Sequence, residues 1–387
     1  MRDLNPVLQT FRESPFTRVT LRANGLGAVN LGQGFPDHAP LSFLQEALQQ
    51  ALTGPQQYAP VAGLPALREE LARDAEKRLG LKLDPATEIT ITAGATEAVQ
   101  SALQGILQPG DEVILFEPTY DMYGPQVKLA GGIPVYVPLE FDGAYHLSEE
   151  KLRAAITPKT RVLILNTPHN PTGKVFTLQE LQTLARIAME HDLDVISDEV
   201  YDRLTFGVPH LPIHALDGMQ DRTLTVGSAG KTFAVTGWRV GWAFGSKRLT
   251  DALRGVHQWV SFCAPTPLQQ ATMLSLQEAQ RFDYSGSVQR DYLQKRDFLT
   301  SALQQAGFKT CTPQGGYFVV ADVSGLGLSE EQAFEWMLTE VGIASIPMGV
   351  FYDSGVAPFA GLRFAFCKGQ ETLQRAAERL YSGCTVK

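Results

Sequence analysis

The sequence predicts an α/β fold, an open sheet with helices on both faces, followed by a smaller α+β domain. Three observations predict it. Apolar runs alternate with helical patterns from about residue 88 to 280, as in strands linked by crossover helices. Beyond a long helical stretch, Ser287 to Ala306, short strands and helices are interleaved on a smaller scale. The residues able to do chemistry fall at strand ends or just past them, where open α/β sheets bind ligands.

Glu88 to Thr92 reads as the first strand of the sheet. Ala93-Gly94-Ala95-Thr96 then turns into a helical pattern over 96–107. Small residues at a helix N-terminus leave backbone N–H groups pointing at one spot, a ready phosphate cradle. Thr96 would also serve as a simple N-cap. Strands are predicted at 112–117, 133–138 and 161–166, and helices at 177–191 and 265–280. After the fourth strand, Asn166-Thr167-Pro168-His169-Asn170-Pro171-Thr172-Gly173 demands a turn. The strand 194–198 ends in Asp198-Glu199-Val200-Tyr201, and a carboxylate buried there needs a cation or hydrogen bonds. Strands 223–228 and 240–245 enclose Ser228-Ala229-Gly230-Lys231-Thr232 and Gly237-Trp238-Arg239-Val240-Gly241. The smaller domain follows, with strands near 316–322, 343–346 and 361–366 and helices near 329–341 and 369–381.

Gly230-Lys231-Thr232 imitates the end of a nucleotide-binding phosphate loop, but that loop needs a glycine where this chain has Thr225. The lysine should also open a helix, whereas Phe233 to Trp238 is β-branched, aromatic and broken by glycine. A lysine at a strand end with Ser228 before it and Arg239 after it suits a different chemistry. It fits a Schiff-base lysine beside a bound phosphate, the working end of a pyridoxal-phosphate enzyme. Asp198 would then pair with the protonated pyridine nitrogen, and Tyr201 and Asn170 would hold the phenolic oxygen.

Composition excludes other classes. The chain has 387 residues, 44% hydrophobic and 19% charged, enough for more than one average domain. A net charge of −8 gives no basic footprint for nucleic acid or for anionic membranes. The 4 cysteines and 7 histidines show no metal-ligand or redox spacing; His210 and His214 are separated by Pro212, which spoils a helical face. The opening Met1-Arg2-Asp3-Leu4 lacks the apolar core of a signal peptide, and no apolar run reaches membrane-spanning length. A soluble, cytoplasmic protein is expected, with no metal.

The motifs Asn170-Pro171-Thr172-Gly173, Asp198 to Tyr201, Ser228-x-x-Lys231, Gly237-Trp238-Arg239-x-Gly241 and Leu362-Arg363-Phe364 come in the order seen in fold-type I, class I/II aminotransferases. Asn30 to Asp37 and Gln57-Tyr58-Ala59-Pro60 resemble the branch of kynurenine/glutamine and methionine aminotransferases. The resemblance runs from about Asn30 to Arg379 and implies a seven-stranded, mostly parallel sheet between helices, with a discontinuous small domain. Residues 1–44 would form an N-terminal arm and part of that domain, 45–283 the large cofactor-binding domain, and 284–387 the rest. It implies that Lys231 carries the cofactor and moves the proton at the substrate Cα. Ala95, Thr96, Ser228 and Arg239 would bind phosphate, and Tyr120 would stack on the ring. Arg363 would clamp the substrate carboxylate, helped by Asn170 and the backbone of Gly34. Tyr58 would reach the phosphate of a partner subunit, which makes the expected assembly a homodimer with shared sites.

The segment Ser14-Pro15-Phe16-Thr17, with Phe35, Tyr58 and Tyr120, supplies aromatic side chains for a substrate pocket. That favours methionine, phenylalanine, tyrosine, kynurenine or glutamine as amino donor to a 2-oxo acid. The same lysine and aspartate would also serve a carbon–sulfur β-lyase. A non-catalytic pyridoxal-phosphate-binding protein is the third reading, disfavoured because no part of the chain is left for a DNA-binding domain.

Overall fold

The computed structural model describes residues 5–11 and 15–384; the sequence readings that fall on Met1 to Leu4 and on Ser14 lie outside them. Its larger sheet has the strands β1 (Ile89–Thr92), β2 (Glu112–Glu117), β3 (Ile133–Pro138), β4 (Thr160–Asn166), β5 (Asp194–Asp198), β6 (Thr223–Ser228) and β7 (Gly241–Gly245). They lie in the order β1-β7-β6-β5-β4-β2-β3. Every pair is parallel except those made by β7, which runs antiparallel to both β6 and β1. The central strands are continuous runs such as Val162-Leu163-Ile164-Leu165, buried on both faces as a covered parallel sheet requires. Each of these side chains contributes about 1.5–3 kcal/mol on burial.

The helices follow from their own sequences. The helix Leu178–Glu190 begins with a capping box in which Thr177 and Glu180 satisfy each other's backbone N–H groups. On one face of the sheet, α2 (Ala95–Ile106) packs with α4 (Lys247–Val260) through Ala98, Ala102, Leu249 and Leu253. Between β6 and β7 a single helical turn, α3 (Ala229–Thr232), carries Lys231 and is capped by the Ser228 hydroxyl. The lysine thus sits one helical turn beyond the strand end rather than on it.

The second sheet orders β8 (Lys309–Cys311), β9 (Phe318–Asp322), β11 (Gly361–Ala365) and β10 (Ile346–Pro347), all antiparallel. The helices α5 (Tyr284–Gln305), α6 (Glu330–Thr339) and α7 (Gln370–Gly383) cover it. The N-terminal segment joins it: Val29–Asn30 pairs parallel with Ile343–Ala344, and Val19 and Ala23 of α1 (Pro15–Leu26) share its core. That core continues through Tyr201, Leu204 and Phe206, which belong to the loop after β5, so the two sheets meet at the ends of β4 and β5.

Candidate active site

Register brings the chemistry together. Asn166 lies beside Asp198 and Asp198 beside Val226, while Gly241 faces Ser228 on one side and Thr92 on the other. The ends of five strands thus open into one cavity of about 270 Å³. Phe16, Gly34, Ala95, Thr96, Tyr120, Asn170, Asp198, Tyr201, Ser228, Lys231, Arg239 and Arg363 all line it. Tyr58 does not. Its ring is 83% exposed and stands edge-on against Phe262 at 5.3 Å, outside the cavity lining.

One corner is built for an anion. The N-cap of α2 is Gly94, with φ +87° and no side-chain cap, so Thr96 is inside the first turn and is not the N-cap. The cost of an uncapped helix start is open N–H groups and a positive dipole end. A Cβ at Gly94 would meet Arg239 Nη2 at 2.5 Å, and one at Gly241 would meet the Gly94 carbonyl carbon at 2.5 Å. Glycine at both positions lets the guanidinium and the helix start close on the same space. Arg239 takes the left-handed region at φ +53° and makes no ion pair among the described residues. Ser228 Oγ accepts the Gly230 N–H at 3.2 Å, which leaves its own proton to donate into the cavity.

A second corner is built for a cation. Asp198 is buried, receives the Tyr123 hydroxyl at 2.6 Å and the Val200 N–H at 3.3 Å, and has no ion pair among the described residues. Burial pushes its carboxyl above the usual range in spite of those bonds. A cationic partner would restore the carboxylate. Asn166 holds the frame, donating to the Asp198 carbonyl at 2.9 Å and accepting the Asn170 N–H at 2.7 Å.

Between the corners stands Lys231. Burial lowers its ammonium to about 8. Its Nζ donates to the Tyr317 hydroxyl at 2.6 Å, and Tyr317 donates on to the Gly34 carbonyl at 2.5 Å. One lone pair of the Gly34 carbonyl is thus occupied within the protein. Tyr201 packs edge-on against Tyr317, ring centres 4.9 Å apart.

Arg363, on β11, faces the cavity from the second sheet with only 1% exposure. Nη1 donates to Asn170 Oδ1 at 2.8 Å and Nη2 to the Gly32 carbonyl at 3.0 Å, while the guanidinium lies 3.9 Å from the ring centre of Phe318. Its Nε is buried without a partner, and burial pulls its pKa down to about 10. Among the described residues it pairs with no carboxylate. A buried cation held only by neutral acceptors is a receptor for an anion supplied from outside.

Sequence reasoning missed Tyr123, Tyr317 and Asn166. Tyr123 follows Tyr120 by three residues and meets its ring edge-to-face at 5.6 Å. Tyr317, within Gly315-Gly316-Tyr317-Phe318, gave no signal of its own, because its partners come from 86 and 283 residues away.

An anion corner, a buried acid awaiting a cation and a depressed lysine between them match the phosphate, pyridine nitrogen and aldehyde of pyridoxal phosphate. The fold and site define a pyridoxal-phosphate enzyme of fold type I. Residues 27–380 match the family model described as aminotransferase class I and II. The solved N-succinyldiaminopimelate aminotransferase of Mycobacterium tuberculosis superposes with a TM-score of 0.94 at 39% identity, covering 98% of this chain and 100% of that one. YbdL of Escherichia coli, for which a methionine aminotransferase function has been identified, gives 0.94 at 34% identity, covering 99% and 100%. The kynurenine–oxoglutarate transaminase of Dictyostelium discoideum is 38% identical over 391 residues, 91% of this chain and 90% of the relative. The chain belongs to the class I and II aminotransferases, an enzyme family that uses pyridoxal phosphate.

Proposed function

We propose that this aminotransferase takes its amino group from an L-amino acid with an apolar, aromatic or sulfur-containing side chain, of the methionine, phenylalanine, kynurenine or glutamine type, and passes it to a 2-oxo acid. The carrying observation is Arg363, a buried guanidinium without a carboxylate partner, set beside an otherwise largely apolar wall that includes Phe16, Val99, Met122 and Phe318. The relatives named for kynurenine and methionine support the same class.

When bound, pyridoxal phosphate supplies an electron-accepting ring that makes the substrate Cα proton removable. Ala95, Thr96, Ser228 and Arg239 would hold the phosphate, and Tyr58 of a second subunit would add to it. Asp198 would keep a proton on the pyridine nitrogen, Tyr201 and the Asn170 amide would hold the phenolic oxygen, and Tyr120 would pack against the ring. Arg363, Asn170 and the Gly34 N–H orient the substrate carboxylate, which fixes Cα within reach of the Lys231 amine. Lys231 then removes and returns the proton, a transfer made efficient by proximity and by a pKa near the working pH. We further propose that the arm 1–44 and the small domain 284–387 close on the large domain 45–283 when a carboxylate docks on Arg363, since that side chain already bridges the two through Asn170.

The test is a half-reaction. Methionine added to the purified holoenzyme without a 2-oxo acid should change the visible spectrum of the cofactor and release one 2-oxo acid per site, with no ammonia. Release of ammonia and pyruvate from a cysteine conjugate, with no half-reaction, would point to β-elimination. No response to any of the four donor types would overturn the substrate class.

A further inference from the structure

Glu97 stands in the first turn of α2, the helix whose open start forms the anion corner. An acid there normally favours a helix, but at a helix start that receives a phosphate its charge would repel that ligand. Its surroundings answer that conflict. One carboxylate oxygen accepts the Ala93 N–H at 3.0 Å, the other accepts the Ser101 hydroxyl at 2.5 Å, and both lie 3.0 Å from His257 Nδ1. His257, on α4, is fully buried, and its Nε2 is 3.0 Å from the Val61 carbonyl. Neither a carboxylate nor a carbonyl can donate. The ring thus has an acceptor at each nitrogen, an arrangement suited to donation from both. The Ser261 hydroxyl lies 3.0 Å from Nδ1 and shares that edge.

We propose that His257 is a positioning residue for the cofactor phosphate. Acting through Glu97, it cancels the negative charge under the phosphate and ties the turn Ala93 to Thr96 to the loop that carries Val61. Tyr58 lies three residues before Val61, so the same ring steadies the loop proposed to serve the partner subunit. The inference rests on the reading that the start of α2 binds the phosphate, and the experiment separates the two.

The apoprotein would be titrated by equilibrium dialysis with pyridoxal phosphate and with pyridoxal, which lacks the phosphate. The wild type should bind the phosphorylated form far more tightly; equal affinity would overturn the phosphate reading itself and this inference with it. His257→Leu should raise Kd for pyridoxal phosphate about tenfold while moving that for pyridoxal by less than about twofold, because the uncompensated charge acts on the phosphate alone. Adding Glu97→Gln to that variant should restore most of the affinity. Equal weakening of both ligands, or no recovery in the double variant, would reduce His257 to a packing residue and overturn the proposal. Should His257→Leu fail to fold, Glu97→Gln alone decides: it should bind pyridoxal phosphate at least as tightly as the wild type, and weaker binding overturns the proposal.

Discussion

Two cations, the half-buried Lys231 and the fully buried Arg363, divide the work of this cavity, and desolvation acts on them to different ends. At Lys231 it lowers the ammonium to about 8, so a neutral amine becomes available near physiological pH. The sign gives a testable pH profile. Below about 8 the amine is protonated and cannot attack; above it the lone pair is free. We expect the rate at which apoprotein captures pyridoxal phosphate to rise through that pH and then level off, as followed by stopped-flow absorbance. A profile that rises only near the ordinary lysine range would show that burial does not activate the amine. At Arg363 burial lowers the pKa only to about 10, so the guanidinium remains charged and serves as an anchor. Arg363→Ala should raise KM for the amino acid roughly a hundredfold, the usual scale for losing one partner of a buried charged pair. A change confined to kcat would argue against the carboxylate clamp. These two residues were legible because each sits in a local motif, Ser228-x-x-Lys231 and Leu362-Arg363-Phe364. Tyr317 was not, since its role arises only when the fold brings Lys231 and Gly34 to its hydroxyl.

At the scale of elements, the anion corner depends on how closely β7 approaches the start of α2. Gly241 is the contact: a methyl there would sit 2.5 Å from the Gly94 carbonyl carbon and 2.6 Å from the Ala95 nitrogen. Backbone cannot step aside as a flexible side chain can. Gly241→Ala should therefore push α2 away from Arg239, cost about 1–3 kcal/mol of stability by overpacking and weaken cofactor binding. Calorimetry with and without pyridoxal phosphate checks both parts, and an unchanged Tm with unchanged affinity would show that the corner tolerates the methyl group. The seven strands of the large sheet were readable because continuous apolar runs bounded by turn residues leave few other solutions. The helix start at Gly94 was harder: Thr96 carries the side chain expected of a cap, while the observed cap is a glycine defined by its φ of +87° and by what must lie next to it. Spacing in the sequence does not encode that proximity.

For the whole molecule, the exposure of Tyr58 is the informative feature. An aromatic ring 83% exposed, backed by Phe262, which itself follows closely on the exposed Trp259 and Val260 at the end of α4, is poorly placed for a solitary chain. The proposed homodimer gives it a place at the partner's phosphate, so each site would be built from two chains. Complementation tests this directly. Lys231→Ala removes the residue proposed to carry the proton transfer and should abolish turnover, while Tyr58→Ala should weaken cofactor binding and lower activity. Mixed under conditions that exchange subunits, half of the dimers would pair one variant with the other. Each such dimer contains one site with its own lysine and the partner's intact tyrosine, so about a quarter of all sites regain wild-type composition. Activity should rise on mixing well above the sum of the separate variants, at a cofactor concentration too low to saturate Tyr58→Ala. Strict additivity, in a sample shown by mass spectrometry to have exchanged subunits, would place Tyr58 outside the partner's site.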